Sequence, residues 1–376
     1  MTTTPRSARS GPAKPATSAQ LKAYDKAWGQ FFARLKADGI TADNTLFVIT
    51  ADENDHFVGG PPNPSNCDGI TIPCTYAQIG ELDANVSGLL ATQRGDTLPF
   101  SVHSDSAPTF YIVGNPGQTD PVTRTLEADV DALMVTSPIT GKSDKLSVYL
   151  ADQAEMNLLH MVTSAADRTP TFTMFGNPDY FNFAGAPNCN APCVVEEGSS
   201  GFAWNHGDFQ PDITTTWFGM VGPGVQRIGR DDNVFSDHTD LRPTILALLG
   251  LKDDYVVDGR VLIEFLEPHV APLLNSHNFV ALAQVYKQIN APVGPLGLAS
   301  LKYANASITA KDTTSYPNYL TTIAGITATR NNLAAQMITL LNDAAFAKKP
   351  INGAQAHSLI SEGNQLLTQV QTLAGP

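Results

Sequence analysis

The chain has no run of about 18 consecutive apolar residues, so nothing in it reads as a membrane span. It has no basic patch either. Its 23 Lys and Arg are scattered among 36 Asp and Glu, and the net charge is -13. A surface that acidic repels phosphate backbones, which argues against a nucleic-acid partner. The first residues are polar, rich in Thr, Ser and Pro, and lack an apolar h-region, so no signal peptide is legible. Cysteine is scarce. Its four positions form two close pairs, Cys67 with Cys74 and Cys189 with Cys193, in loops rich in Pro, Asn and Gly. Two local disulfides, which imply an oxidising compartment, are one reading. A four-thiolate zinc site is another, although neither pair has knuckle spacing, and free thiols are a third.

What is there suffices for a large core. Of 376 residues, 42% are hydrophobic and 16% charged, enough for one large domain or two smaller ones. Residues 1–18 read as a disordered lead. Over 18–38, Leu21, Tyr24, Trp28, Phe31, Phe32 and Leu35 recur at helical spacing, with Gly39 as the C-cap. An apolar run, Thr45 to Thr50, reads as a buried strand ending in Ala51-Asp52-Glu53-Asn54-Asp55-His56. Helix, turn, strand and acidic cluster make an α/β unit, and open parallel sheets place ligand sites at such a strand end. Residues 57–122 read as a loop-rich excursion with one helix near 79–91. Helices are then expected at 123–134, 151–162 and 239–250, and strands at 145–150, 170–175 and 213–221. From about 276 the composition shifts to Ala, Leu, Asn, Gln and Thr. There helical patterns fit 278–289, 315–345 and 353–373, an α-helical appendage over 276–376.

Three segments carry candidate chemistry. Asp52, Glu53, Asp55 and His56 at a strand end suit a divalent cation, though a solvated acidic turn would look the same. Trp204-Asn205-His206-Gly207-Asp208 holds a histidine that alone reads as a hydrogen-bonded loop residue. Ser236 or Asp237 would cap a helix through His238-Thr239-Asp240-Leu241-Arg242-Pro243-Thr244, which needs no metal.

The order of the segments is more specific than any one of them. Thr-Ala-Asp-Glu after an apolar strand is followed by His206-Gly207 and then Trp217 to Val225. Next come His238 to Gly250 and Asp258-Gly259-Arg260. Over residues 19–270 this series resembles the C-terminal half of the alkaline phosphatase superfamily. The Asp-Glu pair is most similar to the bacterial branch with phospholipase C and acid phosphatase members, and there is likeness also to nucleotide pyrophosphatases and phosphodiesterases. The resemblance implies an α/β fold with a mostly parallel sheet flanked by helices. It implies a metal-dependent phosphoesterase acting on small phosphate esters, periplasmic or secreted in its full-length form. Asp52, Glu53 and His206 match metal ligands. The implied cation is zinc, calcium, magnesium or manganese, and a carboxylate at position 53, where many members have His, hardens the site and shifts preference away from zinc toward the other three. His238 is left beside the site rather than in it.

The same resemblance implies a nucleophilic Thr or Ser on an N-terminal strand, and an Asp-x-x-x-His pair ahead of the 18–38 helix. Neither has a counterpart. The expectation is a fragment without a catalytic nucleophile, inactive alone, whose truncated sheet edge invites self-association. A sulfatase would need Cys-x-Pro-x-Arg, which Cys193-Val194-Val195-Glu196 does not supply. The alternative from another class is a non-catalytic secreted binding or surface protein on the same scaffold.

Overall fold

Pro15 opens the first helix, where its fixed φ suits helical geometry and its missing N–H is one no helix bond needs. A computed structural model describes residues 11–12, 14–197, 203–252, 254–270, 277–310 and 314–375. The expected disordered lead over residues 1–18 falls outside them at 1–10 and 13, while its last residues, from Pro15, already belong to the first helix. In chain order the elements are α1 (Pro15–Ala37), β1 (Phe47–Thr50), β2 (His56–Phe57), β3 (Leu82–Asn85) and α2 (Val86–Gln93). Then come β4 (Phe100–His103), β5 (Thr109–Ile112), α3 (Pro121–Asp131), β6 (Met134–Thr136), β7 (Ser143–Lys145), β8 (Ser147–Ala151) and α4 (Gln153–Leu158). They are followed by β9 (Phe172–Gly176), β10 (Tyr180–Phe183), β11 (Val194–Glu196), β12 (Trp204–Asn205), α5 (Pro211–Thr214), β13 (Phe218–Val221) and α6 (Leu241–Leu248). The helices α7 (His277–Asn290), α8 (Pro295–Ile308), α9 (Ser315–Ala347) and α10 (Gly353–Ala374) complete the order.

The described strands do not form a mostly parallel sheet, and that expectation is corrected. They make five small sheets: β4-β5-β9-β8, β10-β3-β11, β1-β13, β12-β2 and β6-β7. β10 runs parallel to β3, whereas β11–β3, β12–β2, β4–β5, β5–β9, β8–β9 and β6–β7 are antiparallel. Connection length gives the reason for the β4–β5 pair. Residues 104–108 alone join β4 to β5, and a parallel crossover needs a dozen or more. β4 also alternates half-buried and exposed positions, as antiparallel strands with one wet face do.

The chain divides into two compact units. One comprises Met1–Thr41, Ile49–Gln153 and Thr163–Phe218, the other Ala42–Val48, Ala154–Val162 and Gly219–Pro376. In the first, Phe110 on β5 lies opposite Phe172 on β9, and their rings stack at 4.5 Å. Leu126, Val130, Leu150 and Met174 of the same unit are also fully buried. Each side chain so buried contributes about 1.5–3 kcal/mol relative to exposure. Two disulfides, Cys67–Cys74 and Cys189–Cys193, close short loops of this unit.

The second unit is largely a bundle of α7 to α10. Phe279, Leu282 and Ile289 of α7, Ile323, Ile326, Leu333, Met337 and Leu341 of α9, and Leu359, Leu366 and Val370 of α10 recur every three, four or seven residues and are buried. A polar thread runs through the same unit. Ser300 donates to Glu155 at 2.6 Å, and buried Arg330 meets His160 Nε2 at 2.9 Å. No described helix is long and apolar enough to cross a membrane. That and the two disulfides are compatible with a secreted or periplasmic protein.

Candidate functional site

The acidic segment after β1 is an irregular strand end in which each polar group has a partner. Thr50 Oγ1 donates to the Trp217 carbonyl at 2.8 Å. Asp52 is exposed, and its Oδ1 accepts the Glu53 N–H at 3.1 Å. Glu53 reaches across 154 residues of sequence, where its Oε2 accepts the Gly207 N–H at 2.8 Å. Asp55 Oδ1 lies 3.1 Å from His206 Nδ1, and both side chains are exposed.

The His206-Gly207 turn is fixed from several sides. Gly207 has φ +82, and a Cβ there would stand 2.8 Å from Asp105 Oδ1. The positive φ favours glycine, and a side chain there would displace the Asp105 carboxylate as well. The His206 carbonyl accepts the hydroxyl of fully buried Ser106 at 2.9 Å. Asp105 Oδ1 accepts the Ser106 N–H at 2.7 Å. Asp208 is buried, and its oxygens take the N–H groups of Phe209 and Gly176 at 2.7 and 3.2 Å.

His56 sits beside this turn, because β2 pairs with β12 in the register His56 to Asn205. Its Nδ1 lies 2.8 Å from Asp212 Oδ2 and its Nε2 3.0 Å from Asp179 Oδ1. Burial pulls its pKa down, but the hydrogen bonds to the two carboxylates outweigh burial and leave it raised. Two ionised carboxylates are both satisfied only when both ring nitrogens carry protons, so the geometry favours the imidazolium.

Glu81, Asp105 and Asp208, near the turn, are held with raised pKa values. Burial, then the charges of Asp83 and Glu197, pushes Glu81 up to about 7, with His206 pulling the other way. Burial lifts Asp208 to about 7 and also raises Asp105. Packing like charges in a partly dry site disfavours their ionised forms.

Of the three expected ligands, the structure brings Glu53 and His206 to one turn. Asp52 stays with its own backbone. Among the described residues no group of three or more His, Cys, Asp or Glu is placed to hold a metal ion. Glu53 and His206 stand at one turn as two candidate ligands, short of a complete set for the cation that the resemblance implies. His238 opens a short 3-10 turn (His238–Asp240) in the second unit. Asp237 is the cap there: it accepts the Thr239 N–H at 3.0 Å, and the Asp240 carboxylate returns to the Asp237 N–H at 3.2 Å. Sequence reasoning passed over Asp105, Asp179, Asp212 and Glu81. Asp179 and Asp212 each follow a proline, a turn signal that marks the position without naming its partner.

Comparisons with protein-family models, with curated proteins and with solved structures found no match.

Proposed function

We propose that the chain belongs to a phosphoric-ester hydrolase resembling the alkaline phosphatase superfamily, and that the His206-Gly207 turn with Glu53 forms part of its site. The observation that carries this reading is the hydrogen bond from Gly207 N–H to Glu53. The two segments on which the resemblance most depends meet there, although they lie far apart in sequence. The site is acidic and repels phosphate unless a divalent cation is added. Glu53 and His206 would be among the cation's ligands, and it would supply the positive charge that draws phosphate to the turn. The hydroxyl hydrogen-bonded at the turn belongs to Ser106. It is fully buried and donates to the His206 carbonyl, which does not suit a nucleophile.

The test is calorimetric titration of the purified chain with inorganic phosphate, alone and with zinc, calcium, magnesium or manganese. Phosphate binding is expected only with a cation present, and Glu53→Gln should abolish it. Hydrolysis of nitrophenyl phosphate by the chain alone should be absent. Failure to bind phosphate with any of the four cations would sink the reading. So would turnover that survives Glu53→Gln.

A further inference from the structure

Among the described residues, α1 keeps much of its apolar stripe in water. Among its described side chains none is buried. Leu21, Tyr24, Trp28 and Phe31 are 62, 50, 47 and 50% exposed. With Phe32 and Leu35 they follow the three- and four-residue steps that place side chains on one helix face. The aromatic rings cluster, Trp28 lying 5.7 Å from Phe31 and 5.6 Å from Phe32. Lys22, Lys26 and Arg34 occupy the remaining faces. A helix of this kind draws most of its stability from packing its apolar face. An exposed stripe of such size marks an interaction surface.

Three features of the stripe say what covers it. The first is symmetry. Leu21 and Leu35 stand seven residues either side of Trp28, and Tyr24 and Phe32 stand four either side. Two copies laid antiparallel about Trp28 therefore match Leu21 with Leu35, Tyr24 with Phe32 and Trp28 with itself, while Phe31, at the level of the other copy's Asp25, stands at the rim of the stripe. That is the self-complementarity a two-fold dimer requires. The second is area. A large aromatic buries about 150–250 Å², so four half-exposed side chains offer on the order of 400–500 Å² per copy. Two copies approach the roughly 1,000 Å² that separates a specific interface from a casual contact. The third is charge. Asp25 and Lys36 border the same edge of the stripe, and the antiparallel pair puts Asp25 of one copy on the side of the other's Lys36. Lys22, Lys26 and Arg34 stay in water. An anionic membrane is the other surface that a basic amphipathic helix fits. It would have to hold a chain of net charge -13 against its own negative potential.

We propose that α1 is a dimerisation helix, its apolar stripe covered by α1 of a second copy in antiparallel register about Trp28. Sedimentation equilibrium over a range of concentrations should show twice the monomer mass. Trp28→Glu should return the chain to monomer without loss of far-UV circular dichroism beyond α1. Gln30→Glu, on the opposite face, should leave the dimer intact. Leu21→Cys and Leu35→Cys chains, mixed and oxidised, should cross-link to each other, and neither should cross-link alone. A chain that is monomeric at every concentration overturns the proposal, as does a dimer that survives Trp28→Glu or a Leu21→Cys chain that cross-links to itself. Binding to phosphatidylserine vesicles by a monomeric chain, lost in Trp28→Glu, would assign the stripe to lipid and overturn it as well.

Discussion

His56 is the residue on which local geometry and charge agree most closely. Its two ring nitrogens face Asp179 and Asp212, and those bonds outweigh burial in setting its pKa above 6.5. A histidine whose folded pKa is raised contributes stability that is present below its unfolded pKa and is lost as pH rises through the folded value. His56→Gln should therefore cost on the order of 1 kcal/mol near pH 6, after allowance for solvent screening, and less near pH 9. Denaturant melts of both proteins at the two pH values check this, and an NMR titration should place the His56 midpoint above 6.5. An equal cost at both pH values would show that His56 acts only by packing. The histidine itself was legible in the acidic motif. Its partners were not, because Asp179 and Asp212 lie 123 and 156 residues away, and only the three-dimensional pairing of β2 with β12 brings them near.

At the scale of elements, periodic helices were the most legible part of the fold. α1, α7, α9 and α10 lie where their apolar stripes predict them. α8 was missed because Pro292, Gly294 and Pro295 read as a break, whereas Pro295 is the first residue of the helix. The strands were found more readily than their arrangement. A four-residue apolar run does not say whether its partner is parallel or antiparallel, nor whether both its faces are covered; β1 is only half-buried. The segment around α6 shows structure explaining a motif without chemistry. Arg260 N–H donates to Asp240 at 2.8 Å, Leu262 N–H to Thr244 at 2.9 Å, and Lys287 pairs with Asp237 at 2.7 Å. These bonds hold residues 260–262 and α7 against the start of α6. Gly259 permits the approach, since a Cβ there would stand 1.8 Å from the Thr239 carbonyl oxygen. Gly259→Ala must push backbone away from backbone, and should cost about 1–3 kcal/mol, the range for overpacking. A chemical melt shows the loss as a lower midpoint, and an unchanged midpoint would mean the turn yields without strain.

Across the whole molecule, the acid–base balance leans one way. Burial lifts Glu127 to about 8, and Glu81 and Asp208 to about 7. Asp83, Asp105 and Asp240 are raised as well, each chiefly by burial. A carboxylate whose folded pKa is raised binds more protons folded than unfolded, between its unfolded value near 4 and its folded value. Over that interval stability falls as pH rises. His56 acts in the same direction, and so does self-repulsion in a chain of net charge -13. Two groups oppose this on the acid side. Burial and the neighbouring Arg330 lower the pKa of His160, so its contribution is lost as pH falls below 6.5 through its folded value. Backbone N–H groups of its own turn hold Asp68 well below the usual carboxylate range. Its contribution too is lost only in acid. The melting temperature should therefore peak at about pH 5–6 and decline by pH 8, by roughly 2–4 °C for each kcal/mol of stability lost. Glu127→Gln keeps the shape of the buried side chain and removes its titration, so it should flatten part of that decline. Differential scanning calorimetry from pH 4.5 to pH 9 on both proteins reads the two slopes. A melting temperature that rises steadily to pH 8 in the wild-type chain would mean that these carboxylates are ionised and paired in solution, and that the acidic cluster is neutralised by something other than protons.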